Sequence, residues 1–391
     1  MAIRDLFRRK QSVQPAPQRK TSATGPVVAY HSSGRVVWSA RDTVSLTKTG
    51  YCGNPVGFRA VKLIAEAAAA VPLILQDNET RYADHPILRL INSPNAAQTQ
   101  ADFLEALYGQ LLLSGDAYIE RVAGNDETVA ELHILRSDRM SLVPGADGWP
   151  VAYEYTVGGR KHRFSMDQGI SPICHIRNFH PQDDHYGFSP LQAAAQALDV
   201  HNAATQWSKA LLDNAARPSG AIVHNADQSL SQEQFDRLQF ELESYHQGAR
   251  NAGRPMLLEG GLDWKPMGFS PSDMEFQKTK EAAARDIAVA FGVPPMILGI
   301  PGDATYANYA EANRAFFRLT VLPLVRRVGA HLAQWLEDGQ SLSLIPDQDQ
   351  IPALASERDA HWARVAASDF LTPSEKRHLL GLPAIEGACD E

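Results

Sequence analysis

The sequence predicts an α+β fold in which a small αβ module sits between two long helices. Three observations predict it. Helical apolar spacing near the start gives way to a run of period-two segments. A helix of roughly 27 residues follows, about 40 Å long at 1.5 Å per residue. A second long helix then begins after an insert that mixes strand and helix signals.

Composition sets the frame. The chain has 391 residues, 44% apolar and 21% charged, as in soluble globular proteins with room for one large core or two to three smaller ones. Cys52, Cys174 and Cys389 lie far apart, which argues against a disulfide framework or a paired-cysteine zinc site and fits a reducing compartment. Met1 to Lys20 is basic without an apolar stretch behind it, so no secretory signal is expected. The longest apolar run, Ile64 to Leu75, holds Glu66 and Pro72 and is too short to span a bilayer. No membrane partner is expected.

Net charge is −8, unevenly placed. Six basic residues against Asp5 give residues 1–20 a charge of +5, and the other 371 residues carry −13. From Glu337 to Glu391 eleven acidic and four basic residues leave −7. A body that grips nucleic acid should be basic. Any duplex contact is therefore confined to local patches or is loose.

Residues 1–26 read as a basic arm and flexible linker, since Gln11 to Pro26 is rich in Pro, Gln, Ser and Thr. The arm is either a solvated tail or a docking segment. The first folded unit is expected to start near Asn54. Val56 to Ala70 predicts a helix stopped before Pro72, and Gln98 to Leu113 another, with Leu104, Leu107 and Leu111 at helical spacing. Strands are predicted over 117–122, 132–135, 140–143, 151–157 and 161–164, with Gly158-Gly159 as a tight hairpin. Ser189 is placed to cap a long helix with Pro190 at its first position, ending near Ala216 before Pro218 and Gly220.

The insert predicts strand 221–224, a helix 231–247 capped by Ser231, and strands near 256–258 and 262–265. Ser272 and Glu275 suggest a capping box opening a helix to Phe291. The loop Gly292 to Tyr306 follows, and a third helix, Tyr306 to Leu336, should bend at Pro323. Ala355 to Asp369 and a short helix capped by Thr372, with Pro373 and Glu375, close the chain. No internal repeat is visible.

Catalytic motifs fit poorly. His180, Asp183, Asp184 and His185 are the right types for a metal, but Pro181 makes their segment a turn and the spacing matches no helical zinc motif. A polar surface loop is the simpler reading, with a metal-dependent hydrolase as the alternative it leaves. Gly187-Phe-Ser-Pro-Leu191 lacks the second glycine of a nucleophile elbow, and Pro190 removes the N–H that would form half an oxyanion hole. There is no phosphate-binding loop with its lysine. These readings predict no enzyme, no cofactor and no metal.

Several blocks in a shared order resemble the HK97-type portal proteins of tailed phages. They are Gly115-Asp-Ala-Tyr-Ile-Glu120, Tyr186-Gly-Phe-Ser-Pro-Leu191, Asn214-Ala-Ala-Arg-Pro-Ser-Gly220, Arg285 to Pro295 with Leu298-Gly299, Thr305-Tyr-Ala-Asn308, and Leu371-Thr-Pro-Ser-Glu-Lys-Arg377. The resemblance covers about residues 50–391. It implies a phage portal fold with wing, two-helix stem, αβ clip, tunnel loop and short helical crown, assembled as a dodecamer ring at one capsid vertex. DNA would be packaged and ejected through that ring, which would dock the large terminase, a head–tail adaptor and the major capsid protein. The particle would be a virion or a gene transfer agent particle, built in the host cytoplasm.

Carried onto this chain, the resemblance makes 1–26 the arm, 27–188 wing, 189–216 the first stem helix and 217–271 clip. Residues 272–298 become the second stem helix, 299–306 the tunnel loop, 307–354 the return helix and rest of the wing, and 355–391 the crown. Asp303, Thr305, Tyr306 and Asn308 are then candidates to brush DNA, or form a polar loop that touches nothing. Arg217, Arg250 and Arg254 of the clip are candidates for DNA, terminase, adaptor or subunit contacts. A different connector ring is the alternative within the same class of structural proteins.

Overall fold

A computed structural model describes residues 38–77, 80–124, 129–166, 170–213, 221–224, 262–265, 271–302, 306–336 and 341–382, with a few positions from 231 to 240. The arm and linker 1–26 and strand 256–258 lie outside these residues. Helix and sheet are mixed, as expected.

Folded structure begins earlier than Asn54. Asp42 caps a short helix, α1 (Thr43–Leu46), which runs into a π turn over Thr47–Cys52. Threonines and a glycine hide this segment from an apolar-period reading; Leu46 and Gly50 alone are buried. The predicted helices are α2 (Pro55–Ala69) and α4 (Gln100–Ser114), the latter opened by a Thr99–Asp102 capping box. Between them lie strands β1 (Leu73–Gln76) and β2 (Arg81–Tyr82) and helix α3 (Pro86–Asn92), none of which the periodicity revealed.

Then come β3 (Asp116–Ala123), β4 (Val129–Leu135), β5 (Met140–Pro144), β6 (Pro150–Val157), β7 (Arg160–Ser165) and β8 (Ile173–Arg177). They form two antiparallel sheets, ordered β4-β3-β8 and β5-β6-β7. Side chains alternate across β3, and each face builds a different core. Ala117 and Ile119 join Leu132, Cys174 and Ile176 against α2 and α4, while Tyr118 joins Leu135, Met140, Tyr153 and Ile173 beneath the second sheet. The order of layers is therefore helices, sheet, sheet.

The long helix expected over 189–216 is broken at Ala194, into α5 (Pro190–Ala193) and α6 (Ala195–Asp213). Ser189 caps it as predicted, accepting from Gln192 N at 3.0 Å. Strands β9 (Ala221–His224) and β10 (Leu262–Lys265) pair antiparallel and close the base of the insert. Ser231 and Gln234 bond reciprocally at the start of helical residues, as a cap there should. Helix α7 (Pro271–Ala290) returns alongside α6, with Trp207 stacked on Phe276 at 4.4 Å. Ser272 already lies inside α7, so the capping box expected there is displaced: Pro271 opens the helix instead.

The third helix is also two: α8 (Tyr306–Phe316) and α9 (Leu322–Leu336), joined by a π turn over Phe317–Val321. Pro323 lacks an N–H, and the wide turn just before it accommodates the missing bond. Strand β11 (Ser343–Pro346), also unforeseen, pairs with β1 in a β11-β1-β2 sheet. Helices α10 (Ala355–Ala366) and α11 (Pro373–Leu379) end the fold, α11 with the predicted Thr372–Glu375 box. No helix among the described residues is long and apolar enough to cross a membrane.

Candidate channel segment and the joint behind it

The segment that leaves α7 is shaped by backbone caps. Gly292 stops the helix at φ +66°, and Val293 N donates to Ala288 O at 2.9 Å, a six-to-one closure that satisfies an orphan carbonyl. Pro294 and Pro295 forbid a restart, and a 3-10 turn over Pro295–Leu298 ends on Gly299 at φ +77°. Two side chains fix the result. Thr320 Oγ1, from the π turn, donates to Gly292 O at 2.6 Å, and the Arg285 guanidinium of α7 donates to Pro301 O. The base of the loop is thus tied both to the helix before it and to the π turn that follows α8.

Asp303 and Thr305 lie outside the described residues, as do Arg217, Arg250 and Arg254. Tyr306 is the first residue of α8, and Asn308 follows on its first, exposed turn. The loop candidates are therefore contiguous with the start of α8. Beyond them, Arg314 donates to Glu311 at 2.6 Å and to Ser356 Oγ at 3.0 Å, and Arg318 reaches Glu357 at 3.3 Å. These bonds join α8 and the π turn to the first turn of α10.

Elsewhere in the fold is a buried joint that sequence reading did not foresee as a unit. Gly115 and Gly187, from two of the quoted blocks, pack backbone to backbone; a Cβ on Gly187 would lie 2.1 Å from Gly115 O. Asp116, 5% exposed, accepts Gly187 N–H at 2.9 Å and 3.0 Å and His175 Nε2 at 2.8 Å. Asn178 donates to Leu111 O and Phe188 O and accepts from Arg327 at 2.6 Å. Sheet β4-β3-β8, helix α9 and the entry to α5 meet here. The signal was available: a Gly-Asp pair and a Tyr-Gly pair, each just before a regular element.

A second joint holds α6 to the segment from Ser39 to Asn54. Asn54 Oδ1 caps α2 through Val56 and Gly57 N, which fixes its amide orientation. Its Nδ2 then faces His201 Nδ1 at 3.1 Å and Asn202 Oδ1 at 2.8 Å. His201 Nδ1 must accept there, so the ring is neutral. Burial, and then the charge of Lys280, holds its pKa below the ordinary value. Ser39 reinforces the contact with two bonds to Asp199.

The segment with the best metal-ligand types serves its own backbone. Asp183 accepts from His185 N and Tyr186 N, bonds that hold its carboxyl below the usual range, and His180 accepts from Gln182 N. Among the described residues no group of three or more His, Cys, Asp or Glu is placed to hold a metal. Burial pushes the Cys174 thiol up to about 12, too high for a nucleophile at neutral pH.

Fold and site define a structural protein, a frame of helices and joints that places a loop. The chain belongs to the phage portal protein family, whose profile, described as "Phage portal protein", matches residues 55–381. Portal proteins are structural components rather than enzymes. The portal protein of Enterobacteria phage HK97 is 25% identical over 381 residues, covering 94% of this chain and 85% of the phage protein. A chain in the neck of a native gene transfer agent particle, solved with C12 symmetry, is 66% identical with a TM-score of 0.71, covering 90% of this chain and 97% of that one. An HK97-family portal protein from Corynebacterium diphtheriae, 17% identical, shares the fold with a TM-score of 0.58, over 81% of this chain and 100% of that one.

Proposed function

We propose that this chain is the portal of a gene transfer agent particle: twelve copies form a ring at one capsid vertex, and DNA enters and leaves through it. The observation that carries this reading is the 66% identity, over 90% of the chain, to a protein of a C12-symmetric particle neck. In this reading α5, α6 and α7 are stem, the β9–β10 insert is clip, residues 299–306 are the tunnel loop and α10–α11 the crown. Helix, insert, helix is what a clip on a two-helix stem requires. Asp303, Thr305, Tyr306 and Asn308 face passing DNA, and Arg217, Arg250 and Arg254 serve contacts of the clip with terminase, adaptor or DNA.

Charge supports low-friction passage. DNA carries a negative charge about every 1.7 Å of axis, and dense Lys/Arg contacts would hold it. Residues 21–391, at −13 per copy, do the reverse. Deleting Pro301 to Thr305 is expected to spare ring assembly and to reduce packaged or retained DNA. Full DNA content in particles carrying the deletion would refute the loop's role.

A further inference from the structure

A ring with rotational symmetry is built head to tail, so each copy presents two different faces that fit each other. Two features of this chain, in different layers of its α/β/β part, have the required complementarity. The first is a groove of about 340 Å³ between α2 and α4, lined by Tyr51, Ala65, Ala106, Gly109 and Leu113, with Asp102 and Glu105 against a single cation, Lys62. That cation is already held by Glu105 at 2.7 Å and Glu66 at 3.1 Å. Acidic charge is left over.

Gly109 is the second reason to read this groove as occupied. It lies inside the 15-residue helix α4, where glycine is less favourable than alanine. No backbone turn requires it, and a Cβ there would meet nothing within 4 Å in its own chain. A residue that costs helix stability and leaves space unused internally is explained by close approach from outside.

The complementary feature is β7. It is the edge strand of the β5-β6-β7 sheet and shows Arg160, Lys161, His162 and Arg163 to solvent in succession. Lys161 bonds Glu154 at 2.9 Å, whereas Arg160 and Arg163 make no ion pair among the described residues. A cationic edge also keeps strands from pairing wrongly; here it is a local positive strip on an acidic protein. The strip belongs to the second sheet, and the β4-β3-β8 sheet separates that sheet from α2 and α4. Along that edge Lys161 and Arg163 share the outer face of the sheet with Glu154, and Arg160 and His162 continue the inner face beyond Phe164. Strip and groove are thus separate surfaces of one copy, as a head-to-tail contact demands.

We infer that in the ring the β7 edge of one copy docks against the α2–α4 groove of the next. The inference rests on the portal reading. The test uses the full chain, with the ring fraction measured by mass photometry over a dilution series. Arg160→Glu and Glu105→Arg are each expected to raise the concentration for half assembly by at least about tenfold, as loss of an interfacial charge pair does. The double variant is expected to recover most of that loss. Gly109→Leu is expected to weaken the ring while its monomer melts no lower than wild type. Single reversals without effect, or a double reversal without recovery, would overturn the inference. An Arg160→Glu ring that assembles normally but retains less DNA would assign the strip to DNA and also overturn it. Wild-type chains that never form rings would instead overturn the portal reading itself.

Discussion

Replacing Asp116 tests whether the joint between sheet and long helix is a structural keystone. Its carboxylate accepts from Gly187 N–H with both oxygens and from His175 Nε2, all within 3.0 Å. Asp116→Ala leaves two buried donors without acceptors, each costing about 1–3 kcal/mol. Losing one member of a buried charged network is on the order of 3–5 kcal/mol. The two estimates overlap, so we expect about 4 kcal/mol. Asp116→Asn keeps an acceptor for Gly187 and requires only a tautomer change at His175, so its cost should be about 1–2 kcal/mol. Urea unfolding of the unassembled chain, followed by tryptophan fluorescence, measures both. An Asp116→Ala loss below about 1 kcal/mol, or equal losses for Ala and Asn, would refute the reasoning.

Three further outcomes follow. Gly292→Ala places a Cβ at φ +66°, 2.9 Å from Thr320 Oγ1, and should cost about 1–2 kcal/mol, read as a lower calorimetric midpoint. Because His201 is neutral when folded and its pKa is depressed, the unfolded chain binds the extra proton, so stability should fall as pH drops below about 6.5, the ordinary histidine value. Unfolding midpoints at pH 7.5 and pH 5 check this, and His201→Gln should flatten the difference. Ser189→Ala removes the cap on α5 and should lower stability by about 1 kcal/mol in the same urea titration.

What was legible in the sequence was whatever had a local cause. Ser189, Thr372 and Gly158-Gly159 act within a few residues of themselves, and the structure keeps each where the sequence placed it. Strands β3 to β7 were read from period-two segments and a Gly-Gly hairpin, and each has its pairing neighbour nearby in the chain. What was missed depends on distant partners. Leu73 to Gln76 lay past the predicted helix end at the tail of an apolar run, with no strand predicted there, and it is pairing with Ser343 to Pro346 that makes it a strand. The π turn before Pro323 cannot be distinguished from α-helix by apolar spacing over five residues. The candidate site divides along the same line. Glycine and proline announced where the loop begins, but Arg285 and Thr320, which tie it down, carry no signature of that role. Asp116 stood inside a quoted block without a partner until Gly187 came beside it.

The β1–β11 pair has a consequence for how the chain is made. Leu75 is fully buried in the central strand of the β11-β1-β2 sheet, opposite Tyr82 on one side and Leu344 on the other. At about 5–20 residues per second, a ribosome takes roughly 15–50 s to travel from one to the other. Through that interval β1 can pair with β2 alone, and the side that β11 will cover stays open. Folding of this part is therefore completed only near the end of synthesis. A truncated chain, lacking β11, would be marked by its own open edge and kept from joining an assembly that one defective member would spoil.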